Sequence, residues 1–436
     1  MLKECLMAVA LALGVVIPRI PSHAADTDST RDKAIAAVRL PKGFRYEPLV
    51  MGDIPEPVAL KFAPDGRLWF TGRRGHIWAY DLTQRNHQLI GELKVCWEPT
   101  PGREANERGL HGIEFHPGFR TNGWIYLHYT PWAPTNATAW SNRVSRFTVV
   151  TSGRSQSLDP ASEKILITIP SLRGFHQGGA LAINPRDGKL YVTCGDNNVS
   201  SDTEKFWNDP QNPPQVLSAL QGKVLRLNLD GSIPTDNPFV GRSDAHPAVF
   251  TYGHRNPYSI NVDPVTGEVF VGEVGYDRPV DWEEINRLQA GGNYGWPRCM
   301  GTNAATFGGT PCPLPDAVPP FIAYHHDNGA GGNAGGNATS GPRYRPTGQS
   351  GDFPERFHGG VFYGDYVRKW IRFAPVDAMG KAGTTEPFAR GFTAGPMAME
   401  QGPDGALYLV EYGGWFTGSP QDKLSRIVRE PAAPAE

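Results

Sequence analysis

One phrase recurs along the whole chain: an apolar strand, a tight turn, then a second apolar strand. This repetition restricts the fold more than any other feature. Its first copy is ALKFAPDGRLWFTGRRGHIWAYD at residues 59–81, with Pro64-Asp65-Gly66 between two alternating segments. It returns as GIEFHPGFRTNGWIYLHYT from Gly112, ALAINPRDGKLYVTCGD from Ala180, SINVDPVTGEVFVGEVG from Ser259 and AMEQGPDGALYLVEYGG from Ala398. A degraded copy, GGVFYGDYVRKWIRFAPVD from Gly359, lacks the Pro-Asp-Gly turn but keeps the aromatic strand and a following one. Asp-Gly supplies the positive-φ turn of a hairpin, and the alternation buries one face of each strand. Several units end in a strand with a basic residue: NRVSRFTV, GKVLRLNLDG, WIRFAPVD, KLSRIVRE.

A unit of three or four antiparallel strands cannot bury both its faces alone. Radial stacking covers them and protects most edges. The pattern therefore predicts an all-β, six-bladed β-propeller with four-stranded antiparallel blades, forming one domain over residues 25–436. Two separate β-sandwiches would not explain the same phrase at both ends. The 51 Gly and 40 Pro suit many short strands joined by turns. The longest insertions run over Lys94–Arg108, Ser200–Gln221 and Gly291–Gly359, and the last is read as a long loop over about 298–345. Its HHDNGAGGNAGGNATSG stretch reads as a mobile lid or as a plain flexible loop.

The first residues, MLKECLMAVALALGVVIPRIPSHAADTDST, place Lys3 before an apolar run from Cys5 to Ile17 and a small-x-small site at Ser22-His23-Ala24. Residues 1–24 read as a secretory signal, too short for a stable membrane span, with a periplasmic or secreted mature chain beginning near Ala25; an uncleaved membrane anchor is the alternative. No other stretch approaches spanning length. Export leaves Cys96, Cys194, Cys299 and Cys312 in an oxidising compartment. Cys299 and Cys312 flank a Gly/Thr/Asn-rich loop as a small disulfide staple, and Cys194, inside an apolar strand, reads as a buried free thiol. Neither CxxC nor CxxCH occurs, so zinc ribbons and covalent haem lack support. With a formal net charge of −2 and no basic run, the chain is not expected to bind nucleic acid.

Three segments carry candidate chemistry. In LRGFHQGGALAINPRDGKLYVTCGDNN, His176 precedes a Gly pair opening an innermost strand, where an imidazole can point into the axial funnel and take a proton. The alternative is a histidine that only hydrogen-bonds a loop. In TYGHRNPYSINVDPVTGEVF, Arg255 and Asn256 put a guanidinium beside an amide, suited to a carboxylate or to an oxygen that gathers negative charge. The alternative is a structural Arg bridging two blades. In VGEVGYDRPVDWEEINRLQAGGNYGWP, Glu283-Glu284 precedes a turn and Tyr294 lies ten residues on; carboxylate with carbonyls suits calcium, while a solvated acidic pair is the plainer reading.

At these segments the chain resembles the soluble pyrroloquinoline-quinone (PQQ)-dependent glucose/sorbosone and aldose sugar dehydrogenases, which are six-bladed propellers. GLHGIEFHPGF, QVLSALQGKVLRLNLDGSIPTDNPF, GHRNPYSI, EEINRLQAGGNYGWP and GPDGALYLVEYGG carry the resemblance over nearly all the mature chain. It implies oxidation of an aldose to its lactone, with PQQ and Ca2+ as cofactors and a separate electron acceptor. It implies that His176 is the catalytic base and that Arg255 and Asn256 contact the quinone end. Glu107 and Asp196 fall at polar positions of the cofactor and substrate pocket. The carbonyls of Gly275 and Tyr276 match the turn holding the cofactor's calcium, and Glu284 and Tyr294 match a second calcium site.

The chain also departs from that pattern. Gly395 and Met397 stand where two arginines bind cofactor carboxylates, and Val367 stands near an expected Lys, beside Arg368 and Lys369. Phe175 replaces an acid and Ala180 an Arg. Arg343, Arg345, Arg368 and Arg426 are the candidate replacement cations. Two other readings stay open: a calcium-containing binding propeller that has lost the cofactor, as in the hedgehog-interacting branch with its similar GEVG…WEEIN phrase, and a calcium-dependent lactonase-like hydrolase.

Overall fold

The computed structural model describes residues 27–98, 106–133, 140–153, 155–197, 212–276, 282–301, 304–305, 312, 314–325, 336–414 and 418–430. The segment read as a secretory signal lies outside the described residues, as do much of HHDNGAGGNAGGNATSG and parts of the two earlier insertions.

After helix α1 (Thr27–Ala37) and strand β1 (Phe44–Met51), the chain lays down its blades in order. Blade A holds β2 (Pro57–Phe62), β3 (Leu68–Gly72), β4 (His76–Asp81) and β5 (Asn86–Glu92). Blade B follows with β6 (Leu110–Phe115), β7 (Trp124–Tyr129), β8 (Ser141–Ser152) and β9 (Ser155–Pro170). Blade C is β10 (Gly178–Asn184), β11 (Lys189–Cys194), β12 (Lys223–Leu227) and β13 (Val249–Tyr252). Blade D comprises β14 (Pro257–Val262), β15 (Val269–Glu273), β16 (Trp282–Arg287) and, after the small hairpin β17 (Cys299–Met300) and β18 (Ala304–Ala305), β19 (Ile322–His325). Blade E has β20 (Ala338–Arg343), β21 (Val361–Asp365), β22 (Trp370–Ala374) and β23 (Glu386–Arg390). Blade F takes β24 (Gly395–Gln401), β25 (Leu407–Tyr412) and β26 (Lys423–Arg429), and β1 completes it by pairing antiparallel with β26. The first strands of neighbouring sheets touch around a closed ring, so the expected six-bladed propeller is what the chain forms.

The repeated phrase has a local cause. In blade A, Asp65 accepts the backbone N–H of Arg67 at 3.0 Å while Gly66 turns the chain at φ +91°. Asp187 and Asp404 make the same bond in blades C and F, to Lys189 at 2.8 Å and Ala406 at 3.2 Å. The basic residue of the third strand reaches back to this turn: Arg226 to Asp187 at 3.1 Å, Arg426 to Asp404 at 3.2 Å. Each seam between adjacent sheets has its own apolar cluster. Trp69 and Phe115 meet between A and B, Tyr191 and Val271 between C and D, and Phe362 and Leu409 between E and F.

Four strands lie inside the stretch read as loop over about 298–345: the small hairpin β17–β18, the outer strand β19 of blade D, and β20, the inner strand of blade E. Its ATSGPR sequence has no apolar alternation and Thr339 as its one β-branched residue, although five of its six residues are buried. The disulfide joins Cys299 to Cys312 as expected, and Cys194 is a buried free thiol. No helix among the described residues is long and apolar enough to cross a membrane.

Ring closure predicts the effect of one substitution. Tyr46 of β1 is buried in the E–F seam and donates to Glu411 at 2.6 Å. Tyr46→Ala is expected to cost about 3–5 kcal/mol, measured by urea unfolding; a loss below about 1 kcal/mol would mean that β1 does not close the ring.

Candidate active site

The inner strands start at one end of the axis, and the segments entering them carry the polar residues. His176 enters β10 with φ +50°, a left-handed backbone uncommon outside glycine and found at positions that the surroundings over-determine. Gly195 makes this possible: a Cβ there would sit 2.0 Å from the His176 carbonyl oxygen. The His176 Nδ1 lies 2.7 Å from Asp196 Oδ1. A carboxylate only accepts, so Nδ1 carries the proton and Nε2 keeps the lone pair. Asp196 is fully buried, and its Oδ2 accepts the indole N–H of Trp296 at 2.8 Å. Both its oxygens are thereby committed, and Asp196 orients the imidazole.

Glu107 lies against the backbone N–H groups of His176 and Gln177. Burial raises its carboxyl above the ordinary range, and the neighbouring His176 and Arg255 offset part of that rise. Asn256 accepts the N–H of Gly178 at 3.1 Å, tying the blade C to D crossover to the His176 turn. Arg255 donates to the Val274 carbonyl at 3.0 Å, and its guanidinium lies 5.5 Å and 5.9 Å from the ring centres of Trp296 and Tyr276. Its Nε is buried without a hydrogen-bond partner among the described residues, which leaves one charged donor for a further acceptor. Glu273 backs this pair: Oε1 accepts the N–H groups of Arg255 and Asn256, both at 2.7 Å, and Oε2 takes His254 Nδ1 at 2.7 Å. His176, Glu107, Asp196, Arg255 and Asn256 therefore form one connected cluster.

The calcium candidates are arranged differently. Gly275 donates its N–H to Glu283 at 3.0 Å, and Tyr276 packs with Trp296 and Met300; the residues after Tyr276 lie outside the described ones. Glu284 is buried, accepts from Asn286 at 2.9 Å, and is pushed up to about 8, mainly by burial with Glu273 and Glu283 adding to it. Asn286 Oδ1 beside it is buried with no donor, so an oxygen-seeking cation fits this pair. The Tyr294 hydroxyl is committed to the Arg287 carbonyl at 2.8 Å and its ring stacks on His254. No group of three His, Cys, Asp or Glu among the described residues is arranged to hold a metal.

Of the candidate replacement cations, Arg343 pairs with Glu268, Arg345 with Asp263 at 2.9 Å, and Arg426 with Glu47 at 2.7 Å. The first two line a cavity at the far end of the axis, away from His176, and Lys369 is bonded to the Thr393 carbonyl at 3.1 Å. Arg368 lies over the Tyr324 ring. The cavity beside Glu107 and Asn256 is lined by Tyr258, Tyr366, Met397 and Arg73.

Arg73 and Trp296 belong to the site although their motifs gave no role. Arg73 pairs with buried Glu56 and donates to the carbonyls of Trp97, Asn106 and Arg108 at 3.0, 3.2 and 3.0 Å, clamping the segment that carries Glu107. The signal was present as TGRRG, a doubled arginine at a strand end, and as the GWP after Tyr294.

The chain is similar to known proteins over this whole framework. It is 34% identical over 263 residues to quinoprotein glucose dehydrogenase B of Acinetobacter calcoaceticus and 30% identical over 243 residues to an aldose sugar dehydrogenase of Escherichia coli. Those alignments cover 58% and 51% of this chain and span only 52% and 59% of the relatives' own lengths. A solved putative oxidoreductase (glucose dehydrogenase) of Thermus thermophilus superposes with a TM-score of 0.66 at 27% identity, over 88% of this chain and 100% of that one. The sequence model of the glucose / sorbosone dehydrogenases matches residues 54–414, which takes in blades A to E, the first two strands of blade F and every residue of the cluster around His176, and the chain belongs to that family.

Proposed function

We propose that the protein oxidises an aldose sugar at its anomeric carbon to the lactone, using PQQ. The single observation that carries this reading is the His176–Asp196–Trp296 chain set beside Arg255, whose Nε is a buried, unpaired donor. When bound, PQQ supplies the acceptor for the hydride equivalent that leaves the sugar carbon. Arg255 and Asn256 would hold the quinone end, where a fixed positive group would stabilise negative charge. His176 Nε2 takes the proton of the anomeric hydroxyl as the carbonyl forms, and Asp196 stabilises the resulting imidazolium. Glu107 and Tyr258 bound the space for the sugar. The carbonyls of Gly275 and Tyr276, and Glu284 with Tyr294 at a second position, are the groups that would hold Ca2+. Electrons pass on to a separate acceptor, and the apolar N-terminal segment and the disulfide support a periplasmic or secreted location.

Met397 in the cavity wall favours a second reading, a binding propeller that keeps the calcium and lacks the quinone. Titrating calcium-loaded protein with PQQ, then offering aldoses with a dye acceptor, separates the two. Binding at micromolar PQQ with dye reduction is expected; absence of binding leaves the binding propeller. His176→Ala is expected to abolish turnover while sparing PQQ affinity, and unchanged turnover would remove His176 from its role.

Asp196→Asn keeps the shape but offers only one acceptor oxygen to two donors. It should lower kcat by about 10^2–10^4-fold with little change in KM, read from steady-state rates; an unchanged kcat would make Asp196 a purely structural group. Calcium should raise the Tm of the chelator-treated protein, and Glu284→Gln should remove that increment. An undiminished increment in the variant counts against Glu284 as a ligand.

A further inference from the structure

Two imidazoles at the inner end of blade B have no part in the chemistry above. His111 is the second residue of β6, and His128 lies near the end of the neighbouring β7. They are buried, at 5% and 0% exposure, with ring centres 6.1 Å apart and planes inclined by 65°. All four ring nitrogens are buried, and none has a hydrogen-bond partner among the described residues. A neutral imidazole has one N–H to donate and one lone pair to satisfy, so two such rings side by side leave four unmet polar atoms in the core. The Glu107 carbonyl faces His111 without closing a hydrogen bond.

The geometry points to a binding site for one copper or zinc ion shared by His111 and His128, its remaining coordination positions filled by water or by oxygen atoms of a molecule in the axial cavity. Three observations support it. Two imidazoles that share an ion about 2.0–2.1 Å from each nitrogen have ring centres roughly 5–6.5 Å apart, a range that includes the observed separation. Burial lowers His111 to about 3 and His128 to about 4, so both rings are neutral and carry a lone pair at physiological pH. His111 also lines the axial cavity, which gives an ion a path in. Gly179 keeps the space between the rings open: a Cβ there would lie 2.6 Å from His111 Cβ and 2.9 Å from His128 Nδ1. The nearest fixed cation, Arg73, is paired with Glu56 at 2.6 Å, and Glu107 lines the same cavity as His111. Imidazole ligands suit copper and zinc, and copper binds such sites more tightly. This inference does not depend on the dehydrogenase reading.

The test uses the untagged full-length chain, stripped with a chelator and titrated with Cu(II) and, separately, Zn(II) against a chromophoric competitor. One equivalent of copper is expected to bind, with nitrogen couplings from two imidazoles in its pulsed electron paramagnetic resonance spectrum. His111→Leu and His128→Ser should each weaken copper binding at least tenfold. The wild-type spectrum decides the matter even if a variant fails to fold. Copper without two imidazole ligands, affinity unchanged in both folded variants, or no binding at micromolar free copper overturns the site and leaves the pair as a pocket for water.

Discussion

The blades of this protein are apolar on both faces, so none can be stable without a blade on either side. Every seam is filled by side chains from two sheets, and the seams together form a closed circuit rather than one central core. Burial of apolar surface at about 25 cal/mol per Å² is what holds each pair of sheets. It leaves the axis free of the requirement to be apolar. Polar and charged groups can therefore collect at one end of the axis, on strand ends whose positions are set by packing farther out. The cluster around His176 draws on blades A to D, so its geometry is a property of the ring.

Within that cluster each buried charge is matched. Glu273 takes two backbone N–H groups and the His254 ring, Asp196 takes one imidazole and one indole, and Glu56 takes Arg73 and Arg74. Hydrogen bonds to charged groups contribute about 1.5–3 kcal/mol each, and an orphaned partner costs more than the bond was worth. These three carboxylates therefore act as anchors for groups that reach the cavity. The exception among the described residues is Arg255 Nε, a buried donor without a hydrogen-bond partner.

Much of this was legible before the structure. The hairpin phrase predicts the blades because its Asp-Gly turn and alternation are local properties. His176, Arg255 and Asn256 adjoin the starts of inner strands, a placement legible in the spacing, whereas their roles are implied only by the resemblance. The inner strand of blade E was not, since ATSGPR carries small residues and follows a Gly/Asn run. Trp296 escaped because its partner Asp196 is 100 residues away, and Arg73 because its work is done on the carbonyls of a distant loop. The pairing of His111 with His128 needs the antiparallel register of β6 and β7, which sets His128 opposite Gly112.

The bond between Tyr46 and Glu411 spans 365 positions of sequence, and β1 meets β26 along its whole length. A ribosome adds about 5–20 residues per second, so β1 waits many seconds with its edge unpaired until β26 has been made. Blades B to E can dock as they emerge, but the ring cannot lock until synthesis is nearly over. The growing chain is thus held in an unlocked, extensible state for most of its time on the ribosome. That is the condition in which a polypeptide can still be threaded across a membrane.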